Sequence, residues 1–535
     1  MISTLNDLNR TVYLNLVGLI TLNFLFVLIN YLDLTFLKLW HLYFLVFSIV
    51  LFLCPLRYRI LIILVILLDF ILSLILIDFS SDGATYHVIA INELVNSINP
   101  YTYISHDIRI DTYPILPWLL PAAIKQLFPE FVNISSFGKL YLAFLLFIYA
   151  FEYCKKYNSI IISILISILI SFPPIFLTQI YTGYLDYWTY FTACLLVISL
   201  IKYNESPSID NIKILSLILI LLLIVKFQTV VYLIIFSPLL IYILYKHQDN
   251  FIEFFKYNLS TVFLYFSLFI VSFSAIYFNN ILNYGSLVPF ASEKGATKIL
   301  FDNSFYTNTD AWKHLYYSLF SRVSLNTDSP IIDLFYFPTF GEFIQYSYPD
   351  TRFGASGPLF GILIILLFVF ALIFKNIVLY IICLYIFLSM FIPGTGIMRY
   401  YPLIQASPFL FLLAIKDNSK EILNININGS VLMNLSLLSL KKIFITIGLI
   451  NIIFIFSSST SYQYYRTQTY LNFVETIKNE KPLAINFGGW VYHKYILERL
   501  GAKFSSDFRA TKCIPLKSKY KVHIHDEVTI CNKIN

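Results

Sequence analysis

The sequence predicts an all-α polytopic membrane protein of about thirteen transmembrane helices, with interfacial helices in a first outer loop and a small α/β module after the last span. Three observations predict it. Hydrophobic residues make up 58% and charged residues only 13% of the 535-residue chain, where a soluble domain carries roughly 25% charge. Mean hydropathy is +0.75. Apolar runs of spanning length recur along the chain, and lysine and arginine favour every second connection between them.

In order, the expected spans are 11–32, 36–54, 59–78, 138–154, 158–178, 185–201, 211–225, 227–245, 257–278, 358–374, 376–392, 400–415 and 442–459. With the N-terminus inside, the cytoplasmic connections hold Arg57, Arg59, Lys155, Lys156, Lys202, Lys213, Lys246, Lys256, Lys375, Lys416, Lys420, Lys441 and Lys442. The short outer turns hold Lys38, Lys226 and Arg399. This bias predicts a multi-pass protein of the cell (inner) membrane. It divides the chain into a transmembrane domain, 1–459, with outer loops 79–137 and 279–357, and an extracytoplasmic domain, 460–535. The net charge of +7 follows from this topology and is no argument for nucleic acid.

Within the first outer loop, Val88, Ile91, Val95 and Ile98 recur at helical spacing, which predicts a helix lying on the membrane. Asn99-Pro100 ends it. A second, PWLLPAAIKQLF, is similarly one-sided. The tail reads as a strand (PLAINF), a helix (GWVYHKYILERLG) and a further strand (KYKVHIH). Cys54, Cys154, Cys194 and Cys383 lie in or beside apolar runs and read as small core residues. Cys513 and Cys531 lie in the polar tail, where a disulfide is open to them if the tail is extracytoplasmic.

The most informative charge is Asp82, just beyond the apolar run from Arg59 to Phe79 and at the start of SSDGATYH. It reads as a helix N-cap, as a catalytic base beside a lipid-borne substrate, or as both. Further on come NPY (Asn99 to Tyr101) and TYPILPWLLPA (Thr112 to Ala122). An acidic residue opening the first large outer loop, followed by these strings, resembles the GT-C superfamily of membrane glycosyltransferases. That group includes the protein O-mannosyltransferases and the lipid A aminoarabinose transferases. The motifs cover about 45 residues, and the topology extends the likeness over most of the chain. Two features depart from the pattern: two apparent spans precede the helix leading to Asp82, and Gly83 stands where a second acid often follows the first.

The resemblance implies transfer of a sugar from a polyprenyl-phosphate carrier to a lipid, glycan or protein acceptor outside the membrane, with inversion of the anomeric centre. Asp82 would then serve as base. Asp186, at the outer end of a span among Tyr184, Tyr187 and Trp188, shares the base and positioning roles, holds a divalent metal with Asp82, or simply caps its helix. Lys226 interrupts an apolar stretch and either binds the donor phosphate or snorkels at a tight turn. Arg399, in an Arg-Tyr to which the likeness extends, and Arg352 and Lys294 in the long loop are further phosphate candidates. Tyr113, in the Tyr-Pro string, and His87 are substrate-binding candidates, His87 also being a metal candidate or an exposed side chain. Asp107, with His106, Arg109 and Asp111, is an acceptor edge or a solvated loop. The loop 279–357 is long enough to form a lid.

Two other functions fit the composition. A polysaccharide polymerase or ligase acting on undecaprenyl-diphosphate glycans would lean on arginine pairs in place of an Asp base. A lipid or solute transporter would carry ionisable residues deep in its spans and show repeat symmetry. Asp69 is the clearest acid within a span, while most others crowd the outer edge.

Overall fold

Helices form at each predicted apolar stretch in a computed structural model that describes residues 7–34, 37–80, 82–96, 108–129, 134–287, 311–324, 330–334, 336, 338–347, 353–354, 356–374, 377–390, 402–414, 422–427, 430–479, 483–486, 494, 496–498, 500–502, 504–505, 512–515 and 529–532. The first half contains α1 (Asp7–Tyr31), α2 (Leu39–Leu53), α3 (Leu56–Ile75), α4 (Val88–Val95), α5 (Ile108–Thr112), α6 (Leu116–Leu127), α7 (Lys139–Cys154), α8 (Ile160–Ser171), α9 (Pro174–Gln179) and α10 (Asp186–Glu205). Then come α11 (Ile209–Val225), α12 (Thr229–Lys246), α13 (Gln248–Tyr257), α14 (Leu259–Phe273) and α15 (Asn279–Tyr284). Helices at Ala311–Phe320, Phe340–Gln345, Phe360–Phe374, Ile377–Ser389 and Leu403–Ala414 precede one long helix, Leu437–Asn479.

Among the described residues, five helices are long and apolar enough to cross a membrane: Asp7–Tyr31, Leu56–Ile75, Thr229–Lys246, Leu259–Tyr284 and Leu438–Asn479. The burial pattern of α3 is the reverse of a soluble helix. Its buried residues are Ile62, Asp69 and Ser73, while Ile60, Leu61, Ile63, Leu64, Leu67, Leu68 and Ile71 are exposed. Such a surface is stable only where the surrounding solvent is itself apolar. By contrast α10 is buried on all sides from Asp186 to Tyr203 and forms the centre of the bundle.

Polar contacts mark the two ends of that bundle. At one end Arg57 pairs with Asp7, Lys202 reaches Asn9, Lys246 reaches Asn204, and Lys441 reaches Asn158. These are the lysines and arginines of the expected cytoplasmic turns. At the other end the long helix bonds Tyr181 through Thr460 and Ile77 through Gln463.

Several boundaries differ from expectation. The stretch 158–178 is two helices, because Pro173-Pro174 cannot continue α8 and starts α9 instead. The stretch 257–278 is preceded by α13 and runs on through a π-helical turn, Ser274–Phe278, into α15. The last span does not stop at 459 but continues to Asn479. The second loop helix, α6, is not a one-sided surface element: Leu116 to Ile124 are all buried. Gln126 ties its end to α2 and α4, accepting from Trp40 N–H and donating to Val95 O. A hairpin of β1 (Ile422–Ile427) and β2 (Ser430–Ser436), joined by the sequence Asn428-Gly429, was not expected between the last two spans.

Beyond the long helix, β3 (Leu483–Asn486), β4 (Phe504–Ser505), β5 (Lys512–Pro515) and β6 (Thr529–Asn532) form a sheet of order β4-β3-β6-β5. PLAINF matches β3, whereas the strand expected at KYKVHIH lies outside the described residues. A second hydrophobic core joins this region to the helical part. It contains Tyr470, Phe473, Val474 and Ile477 of the long helix, Ile485, Ile496 and Leu497 of the tail, and Ile77, Phe79 and Val88 from the chain that follows α3.

Asp69 has a structural partner set. Its Oδ2 accepts from the backbone N–H groups of Gly138, Leu140 and Tyr141 at 3.0, 3.1 and 3.3 Å. Gly138 precedes α7 with φ +101° and offers no side chain, so Asp69 caps α7 from a neighbouring helix. We expect Asp69→Ala to lower stability by about 0.5–2 kcal/mol, the usual loss for a cap, read as a lower melting temperature in detergent. An unchanged melt would remove the capping role.

Candidate functional site

At the bundle end that carries the second core, residues 76–80 leave the helix and alternate in direction. Ile77 and Phe79 enter the second core. Asp78 and Ser80 are buried on the other side, and Asp78 has no exposed surface. Asp78 Oδ1 accepts from Ser80 N–H at 2.8 Å and Ser80 Oγ–H at 2.6 Å. Its Oδ2 accepts from Gly183 N–H at 2.6 Å and from Ser135 Oγ–H at 3.4 Å. Asp78 lies beyond the helix end, and burial pushes its carboxyl above the usual carboxylate range; the Ser80 and Gly183 donors and nearby Lys139 pull it back.

The close approach of two glycines makes this arrangement possible. A Cβ on Gly83 would overlap Asp78 Oδ2 and Ser80 Oγ, and one on Gly183 would lie 3.2 Å from Gly83 Cα. Thus the turn after Asp82 is pressed directly on the turn before Asp186.

A buried cation–acid layer continues from there. Lys139 Nζ donates to the carbonyls of Gln179, at 2.7 Å, and Thr182. Asp78, Asp186 and Asp69 are its electrostatic neighbours. Asp186 Oδ1 pairs with Lys226 Nζ at 2.7 Å, and Asp186 Oδ2 accepts from Gln179 Nε2 at 2.9 Å. Both members of the pair are buried, Lys226 at 5% and Asp186 at 1% exposure. Lys226 reaches this position because the chain is extended there, between the end of α11 and the start of α12. Lys226 therefore does not snorkel to the surface, and its charge is matched by Asp186.

An aromatic wall adjoins the pair. Lys226 Nζ lies 5.9 Å from the Tyr113 ring centre, and Tyr113 contacts Tyr86, Trp118 and Phe227. His87 is buried, not exposed, and its Nδ1 accepts from Trp118 Nε1–H at 3.1 Å. Arg109 covers the Tyr86 ring at 4.0 Å. Asp111 accepts from Tyr284 Oη–H at 3.0 Å, which ties α5 to α15.

Asp82 differs from the other two acids in being half-buried. Its N–H donates to Tyr184 Oη at 3.4 Å, and its side chain makes no cap hydrogen bond to the π-helical turn that follows, Gly83–His87. The N-cap reading is therefore not what the side chain does. No group of three or more His, Cys, Asp and Glu side chains placed to hold a metal occurs among the described residues. Both Asp186 oxygens accept hydrogen bonds already, Oδ1 from Lys226 and Oδ2 from Gln179.

The structure thus brings together Asp82, Asp186, Lys226, His87 and Tyr113 of the residues expected from sequence. Arg399, Arg352, Asp107, His106 and Lys294 lie outside the described residues. Asp78, Lys139 and Gln179 were missed. Asp78 is the last residue of the expected span 59–78 and Lys139 the second of the span 138–154, so an acid and a base at one membrane face read as span ends. Comparison with known protein families, curated proteins and solved structures finds no match for this chain.

Proposed function

We propose that this chain is an integral membrane glycosyltransferase of about thirteen spans that moves a sugar from a polyprenyl-phosphate carrier to an acceptor on the extracytoplasmic face. The observation that carries the reading is the convergence of four separate segments, 76–87, 113–118, 178–188 and 226–229, at one end of an apolar helix bundle. They join acids, a lysine and an aromatic wall where a lipid-borne sugar would present its phosphate and its ring. Of Asp78, Asp82 and Asp186, Asp82 alone is half-buried while the other two are buried, which suits it to take a proton from an acceptor hydroxyl. In this reading the donor phosphate competes with Asp186 for Lys226, and Arg399 supplies further positive charge.

The test is transfer from labelled polyprenyl-phosphate sugars by the full chain in proteoliposomes. Asp82→Asn should lower transfer by about 10²–10⁴-fold, the usual range for loss of a general base, with an unchanged melting temperature. Undiminished transfer would remove Asp82 as base, and absence of transfer from every polyprenyl-phosphate donor tried would count against the enzyme.

One observation favours a second reading, a lipid or solute transporter. Charged residues are buried in the bundle, and the helical run breaks at Lys226, as ion and substrate sites of transporters often do. Flux of lipid or solute across the same vesicles, without any glycosylated product, would favour it.

A further inference from the structure

Two cysteines that play no part in the proposed site are brought opposite one another by the C-terminal sheet. β5 runs antiparallel to β6, and the register pairs Lys512 with Asn532, Cys513 with Cys531, Ile514 with Ile530 and Pro515 with Thr529. Directly opposed residues of antiparallel strands have Cα atoms about 4.5 or 5.5 Å apart, and both spacings lie within the window of about 4.4–6.8 Å that a disulfide spans. Opposed positions also share one face of the sheet, so a register shift of one residue would remove the match.

The side of the membrane is the second requirement. The tail shares its core with Ile77 and Phe79, so the sheet lies at the face of Asp78. The opposite end of the bundle holds Arg57, Lys202, Lys246 and Lys441. By the positive-inside rule the sheet is then outside, where disulfides persist. Cys54, Cys154, Cys194 and Cys383 are free and belong to the helical part.

We propose that Cys513 and Cys531 form a cross-strand disulfide. The two thiols lose two protons and two electrons. The oxidant is a protein disulfide carried by a thiol oxidase of that compartment: one thiolate attacks it to give a mixed disulfide, the second thiolate displaces the carrier, and the carrier leaves as a dithiol. The bridge would fasten the edge strand β5 to β6, which pairs with β3. It does so independently of whether the chain transfers sugars.

The experiment uses the full chain taken from native membranes. Thiols are trapped in acid, alkylated under denaturation with iodoacetamide, then reduced and labelled with N-ethylmaleimide for peptide mass spectrometry. Cys513 and Cys531 should carry the second label and the other four the first, and a linked peptide should appear before reduction. In Cys513→Ser, Cys531 should switch to the first label. The first label on both cysteines of the wild-type chain would overturn the proposal, as would continued protection of Cys531 in the variant. The wild-type measurement stands even if the variant does not accumulate.

Discussion

Lys226→Met should leave little folded protein. The substitution takes from the buried Asp186 carboxylate the cation that pairs with its Oδ1 at 2.7 Å. Breaking a buried pair from one side typically costs about 3–5 kcal/mol, against a total stability of roughly 5–15 kcal/mol. Asp186→Asn strands the lysine instead and should be damaging for the same reason. The double variant Asp186→Leu with Lys226→Met removes both charges together, and such replacements are often neutral or stabilising. It should therefore recover the yield and melting temperature that each single change loses. Melting in detergent across the four proteins measures the coupling, and additive single effects would mean that the pair does not form in the membrane. The double variant then separates structure from function: folded but unable to transfer sugar, it would place the Asp186–Lys226 pair in the transfer site.

Which charges matter was partly legible in the sequence, and how they pair was not. Asp186 and Lys226 stand out as charges at apolar boundaries, but their meeting depends on an extended break at Lys226 inside an otherwise helical run. Counting apolar residues hid Asp78, because one carboxylate in a spanning window hardly alters its average. Other misses were readable. Ser457, Ser458, Ser459 and Thr460 look like the end of a span, yet Tyr470, Phe473, Val474 and Ile477 recur at helical spacing and meet a core, which is why the helix continues. The alternation in Ile425-Asn426-Ile427, followed by Asn428-Gly429, is a strong hairpin signal. Asp69 illustrates the limit: nothing local to it reveals that it caps a helix that begins some seventy residues later.

Asp78 and Phe79 are adjacent, and substituting each should break a different thing. Asp78 accepts from Ser80 on one oxygen and from Gly183 and Ser135 on the other. In Asp78→Asn the amide nitrogen must face either the Ser80 or the Gly183 N–H, and a buried donor left without an acceptor costs about 1–3 kcal/mol. Because Gly83 is packed on Asp78 and Gly183, loosening this contact shifts the turn that carries Asp82. Transfer should fall by more than the loss of folded protein accounts for. Gly83→Ala, whose new methyl has no space, should do the same more severely. Phe79 faces the other way, against the Tyr470 ring at 5.7 Å and the Arg466 guanidinium at 4.5 Å. Phe79→Ala removes a ring from the second core at about 3–5 kcal/mol, so limited proteolysis should cut between the long helix and the tail sooner than in the parent. Ile77 is held by Gln463 and by Thr467 Oγ1, at 3.4 Å from its N–H, which leaves the backbone of the segment anchored when the ring is lost. Transfer per folded molecule should therefore survive in Phe79→Ala and collapse in Asp78→Asn. Equal loss in both would show that the segment moves as one unit and that the tail governs the site through it.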